Sequence, residues 1–205
     1  MATLAQPEFL EATYGSVCRS TRCDEKRRRT LESVVHLAVE LAREGREGRK
    51  VGTLFVIGDV DNVLAQSRSL LLDPLYGHSE DLLHVERPEF RETVKELSQL
   101  DGAFVVKDDG TFVSAGRYVD VEVGAAENFL PGLGTRHAAA ASVSRQTNAI
   151  AVVVSQSSVV RVFSNGQVRA EIIPELFLMS KDGLFASRAD VRQVPEAGVT
   201  LAVAD

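Results

Sequence analysis

The sequence predicts an α/β protein of the mixed, α+β-like kind, in which helices flank a central twisted mixed β-sheet. Three features of the segment order lead to this prediction. Helical patterns dominate the first part of the chain, hairpin signals dominate the middle, and one helical segment lies as a crossover between two strands. Crossover helices join parallel strands and tight hairpins join antiparallel ones, so we expect both pairings in one sheet.

The composition is that of an ordinary globular domain. Of the 205 residues, 44% are hydrophobic and 25% are charged, which suffices for one full core. The net charge of −6 argues against a uniformly basic surface, so no nucleic-acid partner is expected, although a local basic pocket stays open. Cys18 and Cys23 lack the neighbours that would complete a zinc site and are predicted to be free thiols.

Targeting signals are not apparent in the sequence. No apolar run approaches the ~20 residues that cross a bilayer, so no membrane partner is expected. The first eleven residues lack the basic start and the apolar core of a signal peptide. The expectation is a cytoplasmic protein whose thiols stay reduced.

Residues 1–49 are predicted to form a helical extension, followed by one domain over residues 50–205. Pro7 to Leu10 predicts a short helix. The basic run over residues 26–29 is interpreted as a solvated helix face, because the net charge of the chain is negative.

A longer helix is predicted inside this extension. Asp24 can cap it, the helical segment runs from Glu25 to about Glu44, and Gly45 ends it. Apolar residues recur at helical spacing and form one stripe, which consists of Leu31, Val34, Val35, Ala38, Val39 and Leu41.

A buried strand opens the predicted domain. Val51 to Ile57 form a continuous apolar run that a Gly-Asp pair closes, which is typical of a strand buried on both faces. The pattern then predicts a short helix over residues 61–70, a loop over 71–88 and a second helix over 89–100.

The second half of the chain is rich in strands. Asp-Asp-Gly and Ser-Asn-Gly are hairpin signals, and each lies between two short apolar segments. The predicted strands cover residues 103–107, 111–115, 149–155, 159–163, 167–172 and 199–203, with a helix over residues 135–145.

The first segment with chemical potential is Asp101-Gly102-Ala103, at a junction from helix to strand. A glycine there lets a ligand approach the backbone closely, and the carboxylate beside it can hold a metal ion or a sugar hydroxyl. Asp-Gly is also a frequent turn, which is the commoner explanation of the dipeptide when it stands alone.

The second segment is a glycine-rich loop that opens a helix, Gly-Leu-Gly-Thr-Arg-His over residues 132–137. Its free backbone N–H groups and the positive end of the helix dipole suit a phosphate. Thr135 can cap the helix or bond a phosphate oxygen, Arg136 presents a guanidinium fork, and His137 adds a second donor. A capped helix with an exposed arginine and a core histidine explains the same spacing equally well.

Taken together, the two segments resemble the diadenylate cyclase family, whose domain is similar to the N-terminal domain of DisA. That family is marked by a DGA motif and by an RHR-type motif within GTRHRAA. Here the motifs read DGA over residues 101–103 and GTRHAAA over residues 134–140, followed by AVVVS and a hairpin. The resemblance runs from about Lys50 to about Glu171, and the form GLGTRH with a later VRVF is most similar to the archaeal-type branch.

The resemblance implies a nucleotidyltransferase that condenses two ATP molecules into cyclic di-AMP and two pyrophosphates. Each protomer would bind one ATP, and two protomers would meet so that each 3′-hydroxyl attacks the α-phosphorus of the other ATP. The expected partners are ATP and a homodimer or higher homo-oligomer, and the expected cofactor is Mn²⁺ or Mg²⁺. The two segments suit this chemistry, because phosphoryl-type transfer depends mostly on positioning and charge neutralisation.

The resemblance also assigns roles to individual residues. Asp101 would hold the metal and the attacking hydroxyl, and the catalytic set is Asp101, Arg136 and His137. The ATP-binding set adds residues that supply backbone approach, phosphate contacts and the adenine contact: Gly102, Ala103, Val119 in place of the family's leucine, Gly134, Thr135, and Ser155 with Gln156 in place of the family's Ser-Glu pair.

Three departures from the family pattern affect the rate and the metal preference. Ala138 replaces the second arginine of the RHR motif, and Gln156 removes an acidic group. Leu100 stands where some bacterial relatives have a histidine that can bind metal. Ala138 and Gln156 favour one alternative function, a module that binds ATP or cyclic di-AMP without catalysis. A second alternative is a structural or partner-binding domain whose contact is the N-terminal helix and which uses neither motif.

Overall fold

The computed structural model describes residues 17–18, 23–70, 72–121, 134–175, 177, 189–194 and 199–204, the last two ranges by their backbone. Within these residues a mixed sheet of seven strands is flanked by helices, which confirms the predicted fold class. None of the helices in the described ranges combines the length and the hydropathy that crossing a bilayer requires. The predicted helix over Pro7 to Leu10 and the first two residues of the 132–137 motif lie outside the described residues.

The seven-stranded sheet has the order β2-β4-β3-β1-β5-β6-β7. β1 and β3 run parallel, and the other neighbouring pairs are antiparallel. The strands are β1 Thr53–Ile57, β2 Ser67–Ser69, β3 Ala103–Val106, β4 Phe112–Val119, β5 Ile150–Val154, β6 Val160–Ser164 and β7 Gln167–Ile172. A separate antiparallel pair consists of β8 Ala189–Val194 and β9 Val199–Ala204.

Four α-helices are described: α1 Glu25–Glu44, α2 Val60–Ala65, α3 Pro88–Leu97 and α4 Thr135–Gln146. The predicted cap of α1 is confirmed, because the Arg27 amide donates to the Asp24 carboxylate at 2.8 Å. The predicted apolar stripe of α1 is buried throughout.

The two faces of the sheet carry two separate cores. Alternate residues of a strand point to opposite faces, so Phe55 and Ile57 pack with α1 whereas Leu54 and Val56 pack with α4. α1 is therefore part of the packing of the sheet. α4 covers the opposite face with small side chains, among them Ala140, which lets it lie close to the strands.

Two of the sequence predictions are corrected. The segment over residues 61–70 is not one helix: α2 ends at Ala65, and Ser67–Ser69 pair with β4 as an edge strand. The basic run is not wholly solvated either. The Arg27 side chain is only 11% exposed and pairs with Asp108 at 2.6 Å, because α1 lies against the turn that follows β3.

One row of residues crosses six strands of the sheet on the face covered by α4. The register places side by side Arg117 of β4, Ala103 of β3, Leu54 of β1, Val153 of β5, Arg161 of β6 and Glu171 of β7. The row is apolar in its centre and charged at both ends. We call it the cross-sheet row.

Candidate active site

A cavity of about 710 Å³ opens above the cross-sheet row, at the end of the sheet where β1 and β3 begin. Its volume lies within the range of roughly 300–1,000 Å³ that small-molecule sites occupy. All ten residues predicted from the sequence line it: Asp101, Gly102, Ala103, Val119, Gly134, Thr135, Arg136, His137, Ser155 and Gln156. The fold thus brings the two motifs together.

Asp101 and Arg136 face each other across the cavity. The Arg136 guanidinium donates to the Asp101 carboxylate at 3.2 Å, and the Asp101 side chain is 88% exposed. An ion pair this exposed contributes little to folding stability. The carboxylate is consequently accessible to a ligand at the cavity mouth, while Arg136 reaches it from the first turn of α4.

Gly102 is required by strand packing as well as by its place in the motif. Its φ angle is +109°, and a Cβ atom there would lie 2.5 Å from the backbone of Gly116 on β4. Any side chain would push β4 away from the start of β3. The glycine therefore sets the geometry of the edge on which Asp101 stands.

The start of α4 differs in one detail from the sequence prediction. Gly134 is the N-cap residue and Thr135 is the first helical residue, so Thr135 does not cap the helix. Gly134 and Thr135 line the cavity, and the first amides of an α-helix have no acceptor within the helix. Nearby, the Arg136 guanidinium lies against the backbone of Gly52, where a Cβ would approach it to 3.0 Å.

His137 is buried and held by an arginine. Arg161 donates to its Nε2 at 3.1 Å, and the Arg161 Nε in turn donates to Glu171 at 2.5 Å. Burial lowers the pKa of His137, and the charges of Arg161 and Arg136 lower it further against the opposing effect of Glu171. A guanidinium can only donate, so the imidazole is neutral with its proton on Nδ1.

The Nδ1 atom of His137 is buried and has no hydrogen-bond partner among the described residues. A direct contact from His137 to a phosphate therefore stays a prediction. What the structure adds is the contact of His137 with Arg161, which sequence analysis missed. The signal was an arginine within the otherwise apolar Val-Arg-Val-Phe strand, but its orientation depends on a strand register that no local pattern specifies.

Arg117 is a second lining residue that the sequence prediction omitted. Its guanidinium donates to the hydroxyl and the carbonyl of Ser67, both at 2.8 Å, and so fixes β2 against β4. The neighbouring apolar wall contains Leu54, Val119 and Val153, and Val119 is only 4% exposed. A flat apolar ring fits such a wall.

The Ser155-Gln156 pair lies in the turn between β5 and β6. The hydroxyls of Ser155 and Ser157 are 2.9 Å apart, and the Ser157 amide donates to Ser155 at 3.2 Å. The turn therefore presents hydroxyl groups to the cavity on the side of β6. Polar groups from the start of β3, from β4, α4 and β6, and from the turn between β5 and β6 line one cavity that has an apolar side, as expected of a site for a nucleotide.

The family comparison identifies the fold. The family model described as the DisA bacterial checkpoint controller nucleotide-binding domain matches residues 40–168, well over half of the chain. The chain belongs to this family. In this member of the DisA nucleotide-binding family, the two motifs line a single cavity.

Two curated relatives carry the name diadenylate cyclase. The protein from Methanocaldococcus jannaschii is 47% identical over 160 residues, which cover 78% of this chain and 50% of that protein. The protein from Haloferax volcanii is 39% identical over 149 residues, covering 72% and 54%. Both are archaeal, which confirms the archaeal-type branch, and the chain spans about half the length of these relatives.

One solved structure similar to this chain is the crystal structure of DacA from Staphylococcus aureus. It is 22% identical, covers 77% of this chain and 97% of its own, and has a TM-score of 0.48.

The side chains of the site suit a metal ion only when a bound ligand supplies further oxygen donors. Within the described ranges, no group of three or more His, Cys, Asp or Glu side chains is close enough to hold an ion. Mg²⁺ is commonly bound through one or two carboxylates together with substrate phosphates and water. Asp101 supplies such a carboxylate at the mouth of the cavity, so the donor set suits an ion that arrives with phosphates.

Proposed function

We propose that this member of the DisA nucleotide-binding family is a diadenylate cyclase, which condenses two ATP molecules into cyclic di-AMP between two protomers. The observation that carries the proposal is the cavity itself. It brings the carboxylate of Asp101 to 3.2 Å from the guanidinium of Arg136, beside an apolar wall and a helix start. These are the groups that a ribose hydroxyl, a phosphate and a purine need.

Each group has a place in the proposed reaction. The adenine lies against the apolar wall near Val119, and the phosphates lie toward the start of α4 and Arg136. Asp101, together with the phosphates, would hold Mn²⁺ or Mg²⁺, which would supply neutralisation of the phosphate charge. The 3′-oxygen of one ATP forms a bond to the α-phosphorus of the other, the bond to pyrophosphate breaks, and the hydroxyl proton leaves to solvent.

Two protomers are proposed because one cavity has room for one nucleotide. Pockets of roughly 300–1,000 Å³ enclose a single ligand of drug size, and this cavity measures about 710 Å³. Ring closure needs two nucleotides, each of which attacks the other. The exposed carboxylate of Asp101 at the cavity mouth is where a nucleotide held by a second copy would arrive.

Incubation of the purified protein with ATP and Mn²⁺ or Mg²⁺ tests the proposal. We expect chromatography with mass spectrometry to show cyclic di-AMP, with two pyrophosphates released per ring. If ATP raises the melting temperature while no cyclic dinucleotide forms with either metal, the protein is instead a nucleotide-binding module. The departures at Ala138 and Gln156 are the features that favour this second function.

Arg136→Ala should weaken ATP binding or turnover roughly ten- to a hundredfold, the effect of losing a charge-assisted contact worth about 1.5–3 kcal/mol. Titration calorimetry with ATP and steady-state kinetics measure it. Arg136→Lys is the matched control, because it keeps the positive charge but loses the guanidinium fork. Its ATP affinity and turnover should lie between those of the wild type and those of Arg136→Ala. Unchanged affinity and turnover in the alanine variant would mean that Arg136 is only an exposed residue of a capped helix.

A further inference from the structure

Arg161 lies at the far end of the cavity from Asp101. It occupies the cross-sheet row on β6, two strands beyond β1, and its side chain lines the cavity although it is only 15% exposed. Neighbouring strands are roughly 4.8 Å apart, so Arg161 is about 19 Å from Arg117 at the other end of the row. The apolar centre of the row separates the two arginines.

The arginine is held in place by its neighbours. Glu171 accepts from its Nε, and His137 accepts from its Nη1. A guanidinium carries five N–H donors, so within the described residues these two bonds leave three donors for a ligand. Because the imidazole of His137 accepts from the guanidinium at Nε2, it is neutral and adds no positive charge of its own beside the arginine.

The order of groups along the cavity gives a direction to a bound nucleotide. Val119 on β4 and Ala103 on β3 lie on one side, Arg136 lies in the middle, and Ser155 and Arg161 lie on the side of β6. An adenine against Val119 and an α-phosphate beside the Arg136 guanidinium direct the remaining phosphates toward β6. Among the residues that the structure describes, Arg161 is the cationic side chain that lines the cavity on that side.

We infer that Arg161 binds the terminal phosphates of the nucleotide, the part that leaves as pyrophosphate. This inference rests on the proposed function for the orientation of ATP. A planar guanidinium fork matches phosphate oxygens and stabilises the negative charge of a departing pyrophosphate. Glu171 and His137 are then positioning residues, which keep the fork pointed into the cavity.

The test compares three ligands in binding experiments with the full chain. For Arg161→Gln we expect titration calorimetry to show ATP and inorganic pyrophosphate binding weakened about tenfold or more, with AMP affinity changed less than about twofold. Arg169→Gln is the matched control. It removes an arginine from the neighbouring strand β7, outside the cavity lining, and should leave all three affinities unchanged.

A second variant keeps the inference testable if Arg161→Gln does not fold. Glu171→Gln keeps an oxygen that can accept from the Arg161 Nε and so hold the fork in place, and it removes only the negative charge. Pyrophosphate should therefore bind as tightly as to the wild type or more tightly. A tenfold weaker pyrophosphate affinity in this variant would contradict the inference.

Two results with Arg161→Gln would overturn the inference. The first is an equal loss of affinity for AMP and for ATP, which would indicate that the shape of the site has changed through His137. The second is an unchanged affinity for all three ligands. Binding needs no turnover. Absence of cyclic di-AMP in the assay would therefore reject the proposed function while leaving the phosphate contact of Arg161 standing.

Discussion

Asp101→Asn should lower the rate of cyclic di-AMP formation by about a hundredfold or more while leaving the fold unchanged. The substitution keeps the size and shape of the side chain and removes its charge. That charge is proposed to hold the divalent ion and the attacking hydroxyl. Without this charge, neither the divalent ion nor the attacking hydroxyl would be held in place for the reaction.

The fold should tolerate this change because the Asp101 side chain is 88% exposed and its ion pair with Arg136 lies in solvent. Circular dichroism and the melting temperature should match those of the wild type. Asp61→Asn is the matched control, because this exposed aspartate follows the opposite end of β1 and should leave the rate unchanged. A wild-type rate in Asp101→Asn would remove Asp101 from the proposed mechanism.

Much of the fold was predictable because local signals and tertiary packing agree. Asp24 caps α1, the apolar stripe of α1 is buried, and the Asn-Gly turn joins β6 to β7. The two motifs were recognisable for the same reason, since each combines a glycine with charged side chains at the end of an element. Their meeting in one cavity follows from the parallel pairing of β1 with β3 and the return of α4 to that end of the sheet.

The features that sequence analysis missed depend on contacts between distant segments. β2 is only three residues long, and it forms because β4 continues to Val119 and Arg117 bonds to Ser67. Arg27 carries no local mark that separates it from its basic neighbours, yet its partner Asp108 lies 81 residues away. Arg161 enters the site through strand register, which is set by the whole sheet and not by its own hairpin.

The specific rate of cyclisation should fall in proportion to enzyme concentration once the protein is diluted below its dimer dissociation constant. If each ring needs two nucleotides on two protomers, the observed rate then rises with about the square of enzyme concentration. A hundredfold dilution in that range should lower the rate per protomer by about a hundredfold. Initial rates over a dilution series, with light scattering at each concentration, measure this dependence.

A matched variant separates assembly from ATP binding. Leu72 is 90% exposed, and a Cβ atom on Gly116 would lie 3.9 Å from the Leu72 carbonyl and 3.8 Å from the Asp101 carbonyl, yet Leu72 does not line the cavity. If the second copy covers this side of the cavity mouth, Leu72→Ser removes apolar contact area between protomers. The onset of the rate loss should then move to higher enzyme concentration, while ATP affinity stays at the wild-type value.

Mixed protomers give the sharpest form of the same prediction. Equal amounts of wild type and Asp101→Asn are mixed above the dimer dissociation constant and compared with wild type alone at the same total protein concentration. The mixture should give about a quarter of the wild-type rate, because random pairing leaves about one dimer in four with two intact half-sites. Independent protomers would give about half. A specific rate that stays flat on dilution, with only monomer in light scattering, would reject the two-protomer mechanism. Each chain would then complete its nucleotidyl transfer in a single cavity.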